Sequence, residues 1–442
     1  MKPAYYLLPL LAACGGDPPA TKPPLSATNY PMPLIANAVG PSDPLSAGQY
    51  YFLYYTWGAE VAPGGWPVSF LQDVLKKEPD FFGNQFSKFG FIPDPNDDLP
   101  IGYKRGNVDP TRATTTCAPC HVGALPDGKI WFGAPALTMD EPRLEAELDK
   151  RWVALGHPST QSAATAARAN AYGPGRFRID SDDYPRAVPA NIPVHYNLSE
   201  RSHLSTVGGT HDVRSEVYLS VGAQVGFPLD ANAPIPFPPE AEVDAMANFM
   251  GTRNPPTAPA QDASLIASGK SVFASAHCDT CHHPDDIGKD SITTIDTAVG
   301  GIDRLPTDDP ANFPLGSIHC DPQQYYMAFG DPSSMSNMNG IDPRTLIILQ
   351  FVENHHLKVG FSNGYLVPNL HGLWASAPYL GNGSVPTLAD LFKPAAQRPP
   401  SFVVDNFTLD TSVLGNSNMG HEFGTSLSPT DQTALIAYLN SL

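Results

Sequence analysis

The chain has 442 residues, a formal net charge of −18 and 42% hydrophobic residues. This length allows roughly two or three domains, and the apolar fraction excludes a disordered chain. The acidic balance excludes the basic surface that nucleic-acid binding needs; it suits a soluble partner with a positive face, or serves solubility alone. With 48 prolines and 37 glycines, we expect helices held in a loop-rich frame.

The first segment, residues 1–14, reads "MKPAYYLLPLLAAC" and combines one lysine with a short apolar run. The run is far below the about 20 apolar residues that a bilayer requires, so we interpret it as a signal peptide. Its ending resembles a bacterial lipobox, which implies cleavage before Cys14 and lipidation of that residue; plain secretion is the alternative. Gly15 then favours an outer-membrane lipoprotein, facing the periplasm or the outside. Residues 15–30 form a Pro-rich tether.

The pattern Cys-x-x-Cys-His occurs twice, as Cys117, Cys120 and His121 and again as Cys278, Cys281 and His282. It is the attachment signature of c-type haem: the two thiols form thioethers with one porphyrin, and the histidine is the proximal iron ligand. Chance predicts about 0.002 such motifs in a chain of this composition.

Other uses of these cysteines fit less well. A zinc site needs two Cys-x-x-Cys pairs in one tetrahedron and no immediate histidine, and a redox dithiol needs one motif in an α/β pattern. The predicted export also favours haem, because c-type haem is attached outside the cytoplasm. We therefore predict two covalently bound c-type haems, with Cys320 as a buried inert thiol or a reactive one.

The segments around each motif predict two similar bodies. The stretch 263–282 begins with a predicted helix just ahead of the second motif, with Gly269 and Phe273 four apart on it, and Gly269 allows a close helix crossing. A terminal amphipathic helix follows, with Ser428 as N-cap, Pro429 at N1 and Asp431 as the capping acid. This order is the plan of a small cytochrome c.

The first body ends in a similar helix, whose apolar face comprises Val243, Met246, Ala247 and Met250, and it has a helical stretch near 140–168. We predict a mainly α fold: two cytochrome c-like haem domains with long loops and little strand. The predicted domains are residues 31–252 and 263–442, joined by a linker at 253–262.

Residues 365–392, "YLVPNLHGLWASAPYLGNGSVPTLADLF", resemble the C-terminal signature of the bacterial di-haem cytochrome c peroxidase superfamily, which includes a methylamine-utilisation enzyme. Residues 377–388 are closer still to the branch that contains the rubber oxygenases. The stretch "FGNQFSKFGF…LPIGY" and the block "GHEFG" (420–424) are also similar to that branch. The resemblance implies two haems close enough for rapid electron exchange, one reactive and one six-coordinate.

In the oxygenase branch, the histidine of the "GHEFG" block is the sixth ligand of the second haem, and here that position is His421. Met419 is the competing ligand, and Met327, Met335 and Met338 are weaker candidates. Trp131 and Trp374 lie in haem-associated blocks, where packing or electron relay are the alternatives.

The distal side of the first haem departs from the resemblance. His203 and His211 stand where relatives carry a different pattern, and each could bind iron, donate a hydrogen bond to peroxide or lie at the surface. Glu216 and Arg214 are candidates for a distal acid and a charge stabiliser. The sequence therefore leaves the catalytic residue unassigned.

We expect an electron-transfer oxidoreductase with peroxidase-like architecture, in which haem one reacts with peroxide and haem two relays electrons. The alternatives are a membrane-tethered electron carrier with two six-coordinate haems and a rubber-oxygenase-like dioxygenase. The expected partners are a small soluble donor, either a cytochrome or a cupredoxin, and the membrane through the N-terminal lipid; a homodimer stays open.

Overall fold

The computed structural model describes residues 44–61, 65–178, 189–205, 208–229, 235–294, 343–360, 364–413 and 415–442. The predicted signal peptide with Cys14, the tether, Cys320 and the three methionines Met327, Met335 and Met338 lie outside these ranges. No helix in the described ranges is both long enough and apolar enough to cross a membrane.

Helices dominate the described residues, which confirms the mainly α prediction. In chain order they are α1 (Pro44–Tyr54), α2 (Val68–Lys77), α3 (Pro79–Phe82), α4 (Ala118–His121), α5 (Glu141–Ala154), α6 (Ala163–Tyr172), α7 (Val213–Val225), α8 (Glu240–Gly251), α9 (Ala263–Ser275), α10 (Pro343–Asn354), α11 (Leu388–Leu391) and α12 (Pro429–Leu439).

The strands are two to four residues long and antiparallel, as the prediction of little strand requires. They are β1 (Trp66–Pro67), β2 (Tyr103–Arg105), β3 (Arg112–Thr115), β4 (Val122–Ala124), β5 (Ile130–Phe132), β6 (Arg176–Arg178), β7 (Pro189–Asn191), β8 (Ile292–Thr294), β9 (Gly364–Leu366), β10 (Ser401–Val404) and β11 (Phe407–Asp410). One sheet has the order β1–β3–β2, and the others are pairs: β4–β5, β6–β7, β8–β9 and β10–β11.

The predicted close crossing of helices occurs between α9 and α12. A Cβ atom added at Gly269 would lie 2.0 Å from the Ala434 carbonyl oxygen, so only glycine fits at this contact. Four residues later, the Phe273 ring meets the Tyr438 ring edge-on at 5.5 Å. Ser428 caps α12 by accepting the Asp431 N–H at 3.2 Å, as its sequence indicates.

The same contacts recur between α1 and α8. A Cβ at Gly48 would lie 2.1 Å from the Ala245 carbonyl oxygen, and Phe52 contacts Phe249 at 5.5 Å. In each pair, one helix carries a glycine and an aromatic residue four positions apart. The other helix carries an alanine and an aromatic residue at the same spacing. The fold contains two copies of one helix crossing.

The helical stretch predicted near 140–168 is two helices, α5 and α6. Gly156 has a left-handed φ of 89°, and Pro158 follows two residues later, so the chain cannot continue as one helix. Leu144 and Leu148 are fully buried, as their spacing predicts, and Trp152 is half-buried.

Three hydrophobic cores position the haem motifs. The first core lies around α1, α7 and α8, includes the predicted apolar face of α8, and receives Cys117. The second core, around α2, α3 and α5, receives Cys120. The third core, between α9 and α12, receives Cys278.

Helix α10 falls within the range predicted for the second domain, yet its side chains enter the first core. Phe351 is fully buried there against Phe227 and Phe237, with ring centroids 5.3 and 5.0 Å away. The domain limits themselves stay a prediction, but the two halves of the chain share a core.

Candidate haem sites

The first motif is the short helix α4, which follows strand β3 directly. Thr116 fixes its start: the Thr116 hydroxyl accepts the Ala118 N–H at 3.2 Å and donates to the Leu53 carbonyl of α1 at 3.3 Å. The Cys117 sulfur lies 3.9 Å from the Met246 sulfur of α8. Cys117 and Cys120 are both free thiols, and burial raises the pKa of Cys117 to about 12. The motif therefore presents two neutral thiols in apolar surroundings.

The Nδ1 atom of His121 is buried without a hydrogen-bond partner, and burial lowers the pKa of His121 to about 3, with the Pro193 backbone acting in the opposite direction. A histidine that binds a metal must be neutral, so this environment suits a ligand. The segment 189–197 therefore lies on the proximal side of the first motif.

The second motif lies in a turn after α9. His277 adopts a left-handed conformation with a φ of 60°, and Cys278 to Thr280 form a short 3₁₀ turn. Cys278 is half-buried and Cys281 is exposed, and both are free thiols. This site is thus more open to solvent at its attachment edge than the first.

The His282 ring is held by a backbone carbonyl. Its Nδ1 lies 3.3 Å from the Pro368 oxygen, so Nδ1 carries the proton and Nε2 stays available for a metal. Burial, as the largest cause, lowers the pKa of His282 to about 4. A second partner that fixes the tautomer is the usual support of a metal-binding histidine.

The His421 ring faces His282, with 6.3 Å between the ring centroids and 58° between the planes. An iron bonded to one nitrogen of each ring at about 2 Å places the centroids roughly 6 Å apart. The pair therefore fits an iron between the two rings. Burial lowers the pKa of His421 to about 4, which keeps this imidazole neutral as well.

The loop that carries His421 is clamped by Arg398. This buried guanidinium donates to the carbonyl oxygens of Asn418, Gly420 and His421, at 2.5, 2.7 and 3.3 Å. His421 itself has a left-handed φ of 48°. Met419 is half-buried two residues earlier, and the ring contact with His282 belongs to His421. The geometry favours His421 over Met419 as the candidate metal ligand opposite His282.

His195 was not identified from the sequence. Its ring stacks on His121 with 3.5 Å between centroids and 14° between planes, it is 2% exposed, and neither ring nitrogen has a hydrogen-bond partner. At this separation no iron fits between the two rings, so His195 lies beside His121 and not across a metal from it. Pro193 lies two residues before His195 and Pro368 three residues before His371, so the two segments share residue types but no common spacing.

The remaining distal candidates differ in their surroundings. His203 is half-buried and His211 exposed, and their rings contact each other at 4.8 Å. Arg214 pairs with Asp244 at 2.8 Å at the surface, which does not suit a distal charge stabiliser. Glu216 is 2% exposed and is hydrogen-bonded to Thr210, and burial raises its pKa to about 7.

Trp131 and Trp374 pack against one small cluster that includes Tyr196 and Ala375. Trp131 comes from the first half of the chain and Trp374 from the second, and Tyr196 directly follows His195. Gly372 fits against the Tyr196 ring, since an added Cβ would lie 2.6 Å from that ring. Packing between the halves accounts for both tryptophans.

Comparison with known proteins agrees with a cytochrome. Residues 364–403 match the family described as RoxA-like, cytochrome c-like. This range contains Pro368, which faces His282, and the block at 377–388. A cytochrome c-like segment implies haem as the cofactor, in keeping with the spacing of His282 and His421.

Two uncharacterised proteins of Sinorhizobium fredii (strain NBRC 101917 / NGR234) are similar in sequence. The protein y4iJ is 39% identical over 18% of this chain and 18% of its own length, and y4iM is 28% identical over 52% of this chain and 50% of its own length. The chain thus spans half or less of the curated relatives it matches.

Among solved structures, the hydrazine synthase of Kuenenia stuttgartiensis, pressurised with 20 bar xenon, overlaps 62% of this chain and 78% of its own. Its sequence is 13% identical and the TM-score is 0.31, which is too low to indicate a shared fold.

Proposed function

We propose that the chain is a two-haem c-type cytochrome with peroxidase-like architecture. In this proposal Cys117 and Cys120 attach haem one, where hydrogen peroxide is reduced, and Cys278 and Cys281 attach haem two, which relays electrons. The observation that carries the proposal is the difference between the surroundings of His121 and those of His282.

His282 has a histidine ring opposite it, at the separation that an iron between two imidazoles needs. In the described part of the chain, the histidine ring that contacts His121 is His195, which is stacked beside it. Haem two would therefore be held by His282 and His421, and haem one by His121 alone among the histidines of these residues. The iron held by His121 would supply the redox chemistry of peroxide reduction.

The chain's own groups then have distinct roles. The Pro368 carbonyl keeps the proton of His282 on Nδ1, and the Arg398 clamp presents His421. The Trp131 and Trp374 cluster, which includes the buried Tyr196, packs the two proximal segments against each other. This arrangement supports electron transfer from haem two to haem one.

A soluble donor, either a small cytochrome or a cupredoxin, supplies the electrons in this proposal. The segment that holds the exposed Cys281 also carries Asp279, Asp285 and Asp286, all exposed. A donor with a basic face is attracted to such a surface. We further propose that lipidated Cys14 tethers the protein to the bacterial outer membrane.

An oxygenase is the second candidate function. It is favoured by the family match, because residues 364–403 contain the block 377–388 on which the resemblance to the oxygenase branch rests. It differs from a peroxidase in requiring stable binding of oxygen and an apolar substrate at haem one.

The test is a low-temperature EPR spectrum of the fully haem-loaded protein, oxidised and half-reduced. We expect one low-spin haem, together with a high-spin haem that is present from the start or gained on half-reduction. Addition of peroxide then shifts the Soret band. Two haems that stay low-spin in both states contradict the proposal and leave an electron carrier.

A variant assigns the low-spin signal. His421→Gly removes the ligand opposite His282, so we expect the low-spin signal to become high-spin and free imidazole to restore it. His283→Ala is the matched control, because His283 bonds to Ser291 at 2.9 Å and has no role in ligation here. A low-spin signal that survives in His421→Gly points to Met419 or another ligand.

A further inference from the structure

Five readily oxidised side chains lie together around the C-terminal end of α1: Tyr50, Tyr51, Tyr54, Tyr55 and Trp57. Their rings form a continuous series, with centroids 5.7 Å apart for Tyr50–Tyr54, 5.5 Å for Tyr50–Tyr51, 5.2 Å for Tyr51–Tyr55 and 4.8 Å for Tyr55–Trp57. Tyrosine and tryptophan lose a single electron more easily than other side chains. Phenylalanine would serve equally well if this series only filled space.

The series has its own proton acceptor. Burial, and after it the charge of the Glu242 carboxylate of α8, raises the pKa of Tyr55, Tyr50 and Tyr51. Burial raises the pKa of Glu242, which makes this carboxylate a stronger base. A tyrosine must release its phenolic proton when it loses an electron, so a carboxylate at this position makes the oxidation easier.

The same helix links the series to the first haem motif. Met246 lies one turn after Glu242, about 6 Å along the axis of α8. The Met246 sulfur is 3.9 Å from the Cys117 sulfur. Tyr50, Tyr51, Tyr55 and Cys117 also pack against the same hydrophobic core. The tyrosines and Cys117 therefore pack against one core, and Tyr50, Tyr51 and Tyr55 are half-buried at its outer side.

We propose that these five rings form a one-electron relay that carries oxidising equivalents away from haem one to the surface of α1. The proposal rests on the peroxide chemistry proposed above. Peroxide takes up two electrons and two protons to give two water molecules. When haem two does not supply these electrons, Tyr55 would supply them in two successive cycles: in each cycle Tyr55 loses one electron towards the haem site and its phenolic proton to Glu242, and the two protons that peroxide takes up come from solvent. A neutral tyrosyl radical remains, and an external one-electron donor of the hydroquinone class reduces it, with the proton returning from Glu242.

The test is peroxide treatment of the haem-loaded protein without a donor, followed by freeze-quench EPR. We expect a tyrosyl radical, identified by the narrowing of its signal after incorporation of ring-deuterated tyrosine. The double variant Tyr51→Phe/Tyr55→Phe keeps the rings and removes the phenols, and we expect a several-fold lower yield. Glu242→Gln keeps every ring and phenol, and we expect a lower yield there also.

Tyr218→Phe is the matched control. Its phenol donates to the Asp244 carboxylate at 3.0 Å on the α7 side of α8, outside the series. Its radical yield should equal that of the unmodified protein. The rate of haem bleaching by excess peroxide is a second readout. Bleaching should be faster in the double variant and unchanged in Tyr218→Phe.

Two results would overturn the relay while leaving the peroxide chemistry in place. One is a Soret shift with no tyrosyl radical, and the other is a radical whose yield is unchanged in both the double variant and Glu242→Gln. If the Soret band does not respond to peroxide at all, the proposed function itself fails and the relay fails with it.

Discussion

Glu216 is a carboxyl group enclosed in α7, and its protonation is coupled to folding. Burial raises its pKa from 4.5 to about 7, so between these values the folded chain holds a proton that the unfolded chain has released. Stability from this group is therefore present below pH 4.5 and is lost as the pH rises through 7. A shift of this size corresponds to about 3 kcal/mol.

We accordingly expect Glu216→Gln to be more stable than the unmodified protein at pH 8 and to lose this advantage towards pH 4.5. Glutamine is neutral and its oxygen can still accept the Thr210 hydroxyl, which bonds to Glu216 in the native chain. Urea unfolding of both proteins at pH 5 and pH 8 measures the difference. A gap of equal size at both pH values would show that Glu216 does not titrate in this window.

Some of the candidate site residues can be predicted from the sequence, and others cannot. Cys117, Cys278 and their neighbours stand out because their chemistry depends on fixed spacing. His421 is distant from His282 in sequence and was reached by resemblance; in the structure the Arg398 clamp and the 6.3 Å ring separation bring the two together. The sequence did not indicate His195, because a single buried histidine is not part of any motif with a fixed spacing.

At the scale of elements, the two helix crossings depend on glycine. Alanine is favoured over glycine by about 1 kcal/mol at an open helix position, whereas overpacking costs about 1–3 kcal/mol. The added methyl at Gly269 would meet a backbone oxygen, which cannot move aside as a side chain does. The clash therefore outweighs the helix preference.

We predict that Gly269→Ala and Gly48→Ala each lower the free energy of unfolding by about 1–3 kcal/mol. Ser268→Ala is the control for α9, because Ser268 is exposed beside Gly269, and we expect a change within about 0.5 kcal/mol. Denaturant unfolding provides the values, and covalent haem content is the second readout. Stabilisation by Gly269→Ala would contradict the close crossing.

Sequence spacing predicted α9 but not α1, for a physical reason. In the second half, α9 leads directly into its motif. Gly269 and Phe273 are therefore close to Cys278 in the sequence, and together they form a recognisable pattern. In the first half, residues 55–116 separate α1 from its motif, and α2, α3 and the first sheet lie between them in the chain. The repeated spacing of Gly48 and Phe52 was the available signal.

At the scale of the whole molecule, the two halves are joined at several places. Helix α10 enters the first core, Gly372 fits against Tyr196, and Thr210 forms a β-bridge with Val359. Long-range contacts of this kind have no local pattern, so a linear division into 31–252 and 263–442 could not express them. They hold the two proposed haem sites in one arrangement.

Asp290 forms a buried ion pair between the two halves with Arg201. One carboxylate oxygen accepts from Arg201 at 3.0 and 3.1 Å, and the other accepts the backbone N–H groups of Ser202 and His203, both at 2.8 Å. The Asp290 and Arg201 side chains are 5% and 8% exposed. Removal of one member of a buried ion pair leaves the other charge without compensation.

Asp290→Ala should therefore lower the free energy of unfolding by about 3–5 kcal/mol. Asp285→Ala is the matched control in the same loop: Asp285 pairs with Lys270 while both side chains are more than half exposed, and such pairs contribute about 0–1 kcal/mol. Denaturant unfolding measures both variants, and hydrogen exchange of β8 and β9 should accelerate in Asp290→Ala alone. If the two variants lose equal stability, the contact between the halves does not depend on Asp290, and α10 with the Tyr196 cluster must hold the halves together.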